Sequence, residues 1–229
     1  MASITISIPA YNDAPTIGPL IEESILVAAK LTDDYEIFVI DDGSQDETPR
    51  LLETLRREIP QLRIRRHPQN LGFGPTIREA YTLPETDWVF FIPGDGQIPP
   101  SELLELFPHG KTHDFILGRR KYRNDSWSRK IQSWCYNVLI SLIAGRRIQD
   151  VNSGGLMQSR VLKGSHFRSK SGFIHAEILL EALRQGASLA EVEIRHEPRR
   201  FGVASGNKPR VILATIRDML IYLARRAAG

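Results

Sequence analysis

A single cysteine, Cys135, stands in a chain of 229 residues. One thiol excludes a disulfide framework and a cysteine-based metal site, and a reducing interior is its natural setting. Cys135 falls inside an apolar helical pattern and is expected as a small buried filler. No apolar run reaches the roughly 18 to 20 residues needed to cross a bilayer. Met1 leads directly into a strand-like stretch, so no signal peptide is expected. These absences predict a cytoplasmic chain, either soluble or peripheral on the cytoplasmic membrane face. The six histidines lack metal-ligand spacing, and no Ser/His/Asp arrangement with catalytic spacing occurs. The basic residues have neither an aromatic stacking platform nor a nucleic-acid motif, so nucleic acid is not an expected partner.

What is present is an ordinary globular composition, 41% apolar and 25% charged. The net charge of +3 hides an asymmetry. Residues 1–100 carry 8 Lys/Arg against 16 Asp/Glu, a balance of −8, and residues 101–229 carry 22 against 11, a balance of +11. An acidic half able to carry a metal is thus joined to a basic half able to meet anions or a negative membrane surface.

The first half alternates between two periodicities. Strand-like runs occur at Ile4–Ile8, Glu36–Ile40, Leu62–Arg66, Trp88–Ile92 and Asp114–Leu117, with helical patterns between them at 15–30, 47–58, 74–83 and 101–107. This alternation predicts βαβ units and a parallel, right-handed sheet. Asp46 and Ser101 are expected N-caps. Beyond Gly118 the pattern predicts an amphipathic helix over 127–144, with Ile131, Trp134, Cys135, Val138, Leu139 and Leu142 on one face. A Gly-rich segment follows at 153–155, then a helix near 175–185, a short strand at 189–194 and a helix over 209–226. The last helix aligns Ile212, Ile216, Met219, Leu220 and Leu223, with Arg210, Arg217 and Arg225 opposite. No repeat or linker interrupts the chain. One domain is expected over 1–229, in two halves, 1–118 and 119–229.

Two acidic clusters sit at the ends of apolar runs. Glu36–Ile40 runs into Asp41-Asp42-Gly43-Ser44, and Asp87–Ile92 runs into Pro93-Gly94-Asp95-Gly96-Gln97. Ligands of open α/β sheets sit beyond the carboxyl ends of such strands. Carboxylates gathered there need a cation or hydrogen-bond donors. A divalent metal carrying a phosphate ligand would supply that compensation.

Residues Ile8-Pro9-Ala10-Tyr11-Asn12-Asp13 and Asp41-Asp42-Gly43-Ser44-Gln45-Asp46-Glu47-Thr48 resemble the inverting family 2 glycosyltransferases. The wider chain resembles their dolichol- or polyprenyl-phosphate sugar synthase branch. Asn70-Leu71-Gly72-Phe73-Gly74 matches the branch's glycine loop, and Pro93–Pro100 its Asp-x-Asp-x-Gln-x-Pro-Pro motif, with Pro93 in place of the first Asp. Gly118-Arg119-Arg120 matches a Gly-Ser-Arg turn. Asp150–Gly155 matches an Asp-x-x-Ser-Gly segment, and Arg199–Ser205 an Arg-x-Gly-x-Ser stretch with one extra residue.

The resemblance implies a GT-A-like α/β fold, with a mostly parallel nucleotide-binding sheet flanked by helices and C-terminal amphipathic helices. It implies that Pro9, Tyr11, Asn12, Asp13, Asp42, Gly74 and Asp95 bind a GDP- or UDP-sugar donor. Asp95 and Gln97 are implied to hold Mg2+ or Mn2+. Arg120, Arg129, Ser153 and Arg200 are implied to hold a polyprenyl phosphate acceptor. Asp95 and Asp150 are the implied catalytic residues, Asp150 as a base where the acceptor is a hydroxyl, and Glu177 is a secondary candidate that orders the site. Arg119, Lys121 and Arg123 are expected to be solvated, and the arginine-bearing amphipathic helices to touch a membrane or pack internally. A transferase acting on a glycan or small-molecule hydroxyl, a sugar nucleotidyltransferase and a non-catalytic nucleotide-sugar binder remain alternatives.

Overall fold

The computed structural model describes residues 2–121, 127–198, 201 and 209–228. Its strands are β1 (Ile4–Ala10), β2 (Tyr35–Asp41), β3 (Leu62–Arg66), β4 (Trp88–Phe91), β5 (Phe115–Arg120), β6 (Gly155–Gln158) and β7 (Leu189–Ile194). Its α-helices are α1 (Ala14–Ala28), α2 (Thr48–Glu58), α3 (Phe73–Thr82), α4 (Glu102–Leu106), α5 (Trp127–Ala144), α6 (Ile174–Arg184) and α7 (Pro209–Ala228). The strands form one sheet in the order β3-β2-β1-β4-β6-β5-β7, so residues of both halves share it.

Most neighbours run parallel, as the alternating periodicity predicts. β6 does not, pairing antiparallel with both β4 and β5. It begins at the last residue of the Gly-rich segment over 153–155, whose glycines allow close backbone approach. A Cβ on Gly154 would lie 2.5 Å from the Phe91 carbonyl oxygen, and one on Gly155 2.7 Å from that of Ile116. The backbones approach so closely that only glycine fits, which is a recognised use of glycine inside strands.

Both faces of the sheet are covered. Phe38, Ile40, Val89, Phe91 and Leu117 pack toward the side of α3, α6 and α7. Ile37, Val39, Phe90 and the isoleucines of β1 pack toward α1, α2 and α4. Alternate residues of β2 thus serve opposite cores, as the two-residue strand period requires. Each fully buried Phe or Ile contributes roughly 1.5–3 kcal/mol.

The amphipathic patterns of α5 and α7 are real, but the expected stripe of α5 does not point inward and that of α7 does so only in part. In α5 the core side is Ile140 with half-buried Tyr136 and Ile143, whereas Ile131, Trp134, Val138, Leu139 and Leu142 are exposed. Cys135 is exposed too, correcting the expectation of a buried filler. In α7, Met219 and Tyr222 are buried and Leu223 is half-buried, while Leu213, Ile216 and Leu220 face outward. No helix among the described residues is long and apolar enough to cross a membrane.

The expected caps divide. Asp46 does cap, although it precedes the formal N-cap by one residue: Oδ1 accepts the Thr48 N–H at 2.9 Å and Oδ2 the Ala14 N–H at 3.3 Å. Ser101 makes no cap bond with its side chain; its Oγ accepts from the Arg195 guanidinium at 3.0 Å.

Candidate active site

The strand order reverses around β1, between β2 and β4, which opens a crevice beyond their carboxyl ends. Tyr11, Asn12 and Asp13 lead out of β1 into this crevice. Asn12 holds φ +56°, a left-handed conformation that asparagine tolerates better than most residues. Its N–H donates to Ser44 Oγ at 2.9 Å, and its Oδ1 accepts the Gln45 N–H at 2.8 Å. The Asp13 N–H donates to Thr48 Oγ1 at 3.0 Å, and its carboxylate accepts the Tyr11 N–H at 3.0 Å. The loops after β1 and β2 are therefore stitched together, and Tyr11 stands exposed at the rim.

Asp42 takes a position that sequence reasoning did not foresee. It is buried, and its carboxylate accepts the N–H groups of Leu71 at 2.8 Å and Gly72 at 3.0 Å and contacts the His67 ring at 2.7 Å. It ties the glycine loop to the end of β2. Gly74 is likewise a packing residue: its N–H donates to the Lys170 carbonyl at 3.3 Å, and a Cβ there would meet Lys170 backbone at 2.4 Å.

The segment Pro93–Gln97 lies directly after β4. The Gly94 N–H donates to the Pro9 carbonyl at 3.0 Å, and the Gly94 carbonyl accepts from Thr16 Oγ1 at 2.7 Å. A Cβ on Gly94 would approach Pro9 O to 2.8 Å and Asp13 Oδ2 to 3.0 Å, so Asp13 lies against the residue preceding Asp95. Asp95 Oδ1 accepts the Gln97 N–H at 3.0 Å, closing the turn. The Gln97 amide nitrogen donates to the Glu197 carbonyl at 3.3 Å, which leaves the amide oxygen as its acceptor group. Among the described residues, no three His, Cys, Asp or Glu side chains form a metal cluster. One carboxylate and one amide oxygen fit a hard cation only where diphosphate oxygens and water complete its shell.

On the basic side, Arg120 at the end of β5 grips Asp150 as a fork. Nε lies 2.8 Å from Oδ2 and Nη2 2.6 Å from Oδ1, while the Arg120 N–H reaches Oδ2 at 3.2 Å. With both oxygens engaged by Arg120, the Asp150 carboxylate orients that guanidinium. His175, missed as a site neighbour by sequence reasoning, packs beside Phe91 and Phe73 with ring centroids 5.1 and 5.5 Å apart. Burial foremost, and then the Arg120 charge against the opposing pull of Asp150, pushes its pKa down to about 4. It is a neutral wedge at neutral pH.

Ser153 is buried, and its Oγ has no hydrogen-bond partner among the described residues. Arg129 is half-buried in the first turn of α5. Arg200 and Arg123 lie outside the described residues. Arg119 and Lys121 pair with Glu193 at 2.8 and 2.5 Å on the surface, as solvated residues do. Glu177 orders the neighbourhood: it accepts the Ser169 N–H at 2.9 Å, and Asp218 of α7 accepts those of Lys170 and Ser171 at 2.9 and 3.0 Å. The segment that supports Gly74 is thereby fixed from two helices.

The profile of the family described as "Glycosyl transferase family 2" matches residues 5–171. This chain belongs to glycosyl transferase family 2. It is 26% identical over 204 residues to the undecaprenyl-phosphate 4-deoxy-4-formamido-L-arabinose transferase of Proteus mirabilis (strain HI4320), covering 87% of this chain and 61% of that one. The enzyme of the same name from Photorhabdus laumondii subsp. laumondii is 25% identical over the same coverage. The chain thus spans about three fifths of the length of these curated relatives. The fold is that of GT-A glycosyltransferases. Glucosyl-3-phosphoglycerate synthase from Mycobacterium tuberculosis, solved with Mn2+, UDP and glucosyl-3-phosphoglycerate, superposes with a TM-score of 0.71 at 19% identity, covering 96% of this chain and 79% of that one. S. aureus TarS superposes with a TM-score of 0.57 at 20% identity, covering 83% and 58%.

Proposed function

We propose that this family 2 domain transfers a sugar, with inversion, from a nucleotide diphosphate sugar to a polyprenyl phosphate. The observation that carries this reading is the opposition across one sheet end of an acidic crevice, built by Asp13 and Asp95, and an arginine fixed by a buried carboxylate. Two relatives named for transfer to undecaprenyl phosphate support the acceptor, and a fold neighbour solved with Mn2+ and UDP supports the donor.

In this reading Pro9, Tyr11, Asn12 and Asp13 receive the GDP or UDP portion, and Asp42 and Gly74 support them from beneath. Asp95 and Gln97 would hold Mg2+ or Mn2+, whose chemistry is to offset the charge of the departing nucleoside diphosphate. Arg120, Arg129 and Arg200 hold the acceptor phosphate, and Ser153 offers its hydroxyl nearby. Arginine suits phosphate through its permanent charge and its charge-assisted N–H donors. Holding the phosphate toward the anomeric carbon converts an encounter between two molecules into a step within one complex. An acceptor phosphate is already anionic near neutral pH, so no base is needed, which agrees with Asp150 being committed to Arg120.

A panel of UDP- and GDP-sugars with undecaprenyl phosphate in detergent, with Mg2+ or Mn2+, tests the scheme. A labelled sugar that passes into the organic phase is the expected result. Label appearing only on free sugars or glycans would overturn the lipid acceptor. Binding of donor with neither transfer nor hydrolysis would overturn the enzyme reading.

The same reading places the exposed apolar faces of α5 and α7 on the cytoplasmic membrane surface. Trp127, Trp134 and Leu142, exposed by 77, 66 and 75%, share that region with Arg129, Arg146 and Arg147. Interfacial helices bind through such an apolar face with basic flanks. The domain should float with vesicles containing anionic lipid and release as salt screens the charges. Failure to float on any vesicle would remove the membrane contact.

A further inference from the structure

Beneath the turn that ends β2, one histidine is held between two carboxylates. The His67 side chain is 1% exposed, with Nδ1 2.7 Å from Asp42 Oδ1 and Nε2 3.2 Å from Glu79 Oε2 of α3. A neutral imidazole has one N–H and one lone pair, so it can satisfy only one of them. Only the imidazolium donates in both directions.

The surroundings agree. Burial opposes the charge, but the hydrogen bonds to Asp42 and Glu79 and their charges outweigh it, raising the His67 pKa above its ordinary value. The charged groups around it are Asp41 and Asp42 from the end of β2, Arg65 and Arg66 from the end of β3, and Glu79 from α3. Arg65 Nε lies 3.5 Å from Glu79, and Arg66 Nε 3.2 Å from Asp41 Oδ2, an ion pair off the hydrogen-bonding direction. The His67 N–H donates to the Asp41 carbonyl at 2.9 Å.

Through Asp42 this pair reaches the crevice. Asp42 accepts the N–H groups of Leu71 and Gly72, and Gly43, at φ +71°, packs so tightly that a Cβ would lie 2.5 Å from the Gln69 backbone. On the other side of the same turn, Ser44 and Gln45 hold Asn12. The turn over 41–45 and the loop over 69–72 are thus one unit, and the histidine is the bolt between that unit and α3.

The geometry points to His67 as a positioning residue for the donor: bridging Asp42 and Glu79, it holds the 41–45 turn and the 69–72 loop in the arrangement that receives the nucleotide. This rests on the donor reading proposed above. The sign of its pH dependence follows. Because the folded-state pKa is raised, the stabilisation is complete below the ordinary histidine value and is lost as pH rises through the raised one. Donor binding weakens over that same alkaline window.

The test combines nucleotide binding with a direct view of the ring. Calorimetry with UDP and GDP in Mn2+ across pH 6 to 9 should show wild-type affinity falling on the alkaline side. In His67→Gln, which cannot donate both ways, affinity should be about tenfold weaker, the loss of one charge-assisted hydrogen bond. It should be flat over that range, with kcat changed far less than the donor KM. Glu79→Gln, which removes one carboxylate but keeps a polar partner, should move the alkaline fall to lower pH. NMR titration of the wild-type imidazole should place His67 above the ordinary histidine value, and Glu79→Gln should lower it. Affinity for nucleotide that is the same in wild type and Glu79→Gln at every pH would overturn the inference, as would an imidazole titrating at or below its ordinary value. If the wild type bound neither nucleotide at any pH, the donor reading would fall and take this inference with it. An imidazole that still titrates above its ordinary value would then place the error in the donor reading, with the histidine bridge itself intact.

Discussion

Asp95→Ala is expected to lower metal-dependent sugar transfer by about a hundredfold to a thousandfold, the cost of removing one group that stabilises transition-state charge. The effect should be large because the donor set is small. Pro93 stands where the family motif has a carboxylate, so Asp95 is the motif's one remaining acid. Its partner Gln97 brings an amide oxygen without net charge. Nothing comparable should happen to stability. Asp95 is half-exposed on a turn, and the hydrogen bond that its Oδ1 accepts from the Gln97 N–H contributes about 1 kcal/mol. Asp95→Asn separates the two roles, since the amide oxygen can still accept from Gln97 while the charge is gone. Initial rates against Mn2+ concentration, with thermal melts alongside, check the prediction. A variant that melts normally and turns over within about threefold of wild type at every metal concentration would contradict the metal assignment.

Much of the fold could be read from local pattern, because local pattern is what sets it. The βαβ alternation and seven helical segments follow from periods of two and 3.6 residues, and observed boundaries fall within about two residues of the expected ones at most ends. β6 was not legible, since glycines demanded by a close backbone crossing look the same in sequence as glycines demanded by a turn. The stripe on α5 was legible as a stripe, yet periodicity carries no sign: it cannot say whether Trp134 and Leu142 or Ile140 and Tyr136 meet the core. The site shows the same division. Strand-end carboxylates announced themselves at Asp42 and Asp95, but their partners come from elsewhere in the chain. The register that sets Asp41 beside Arg66 brings the next residues, Asp42 and His67, together, and nothing local to either announces it. The Arg120–Asp150 fork likewise spans 30 residues and depends on β5 and β6 being neighbours, which the antiparallel strand provides. Residues that resemble a family motif can therefore be named in advance, whereas whether each faces ligand or braces its neighbour is decided by pairing.

Arg120→Ala should be the more destructive substitution, because it acts on stability and transfer together. The Arg120 and Asp150 side chains are 13% and 5% exposed, and removing one partner leaves a nearly buried carboxylate without its fork. Breaking a buried pair in this way costs about 3–5 kcal/mol. For a domain of this size that is on the order of a 10 °C fall in melting temperature. Arg120→Lys keeps the charge but not the bidentate geometry, so it should recover part of the stability and little of the acceptor binding. Asp150→Asn should weaken acceptor binding through a mispositioned guanidinium while leaving the donor KM near wild type. His175 supplies an independent readout. Its pKa of about 4 lies below its ordinary value, so the folded state prefers it neutral and stability declines as pH falls from about 6.5 toward 4. The Arg120 charge helps to hold it there and Asp150 works against it. Arg120→Ala should therefore raise the His175 pKa and shrink the acid-side loss, even though the variant is less stable at pH 7.5. Urea unfolding at pH 7.5 and 5 measures both effects. A melt within about 2 °C of wild type, or an undiminished acid-side loss, would show that the fork does not organise this side of the cleft.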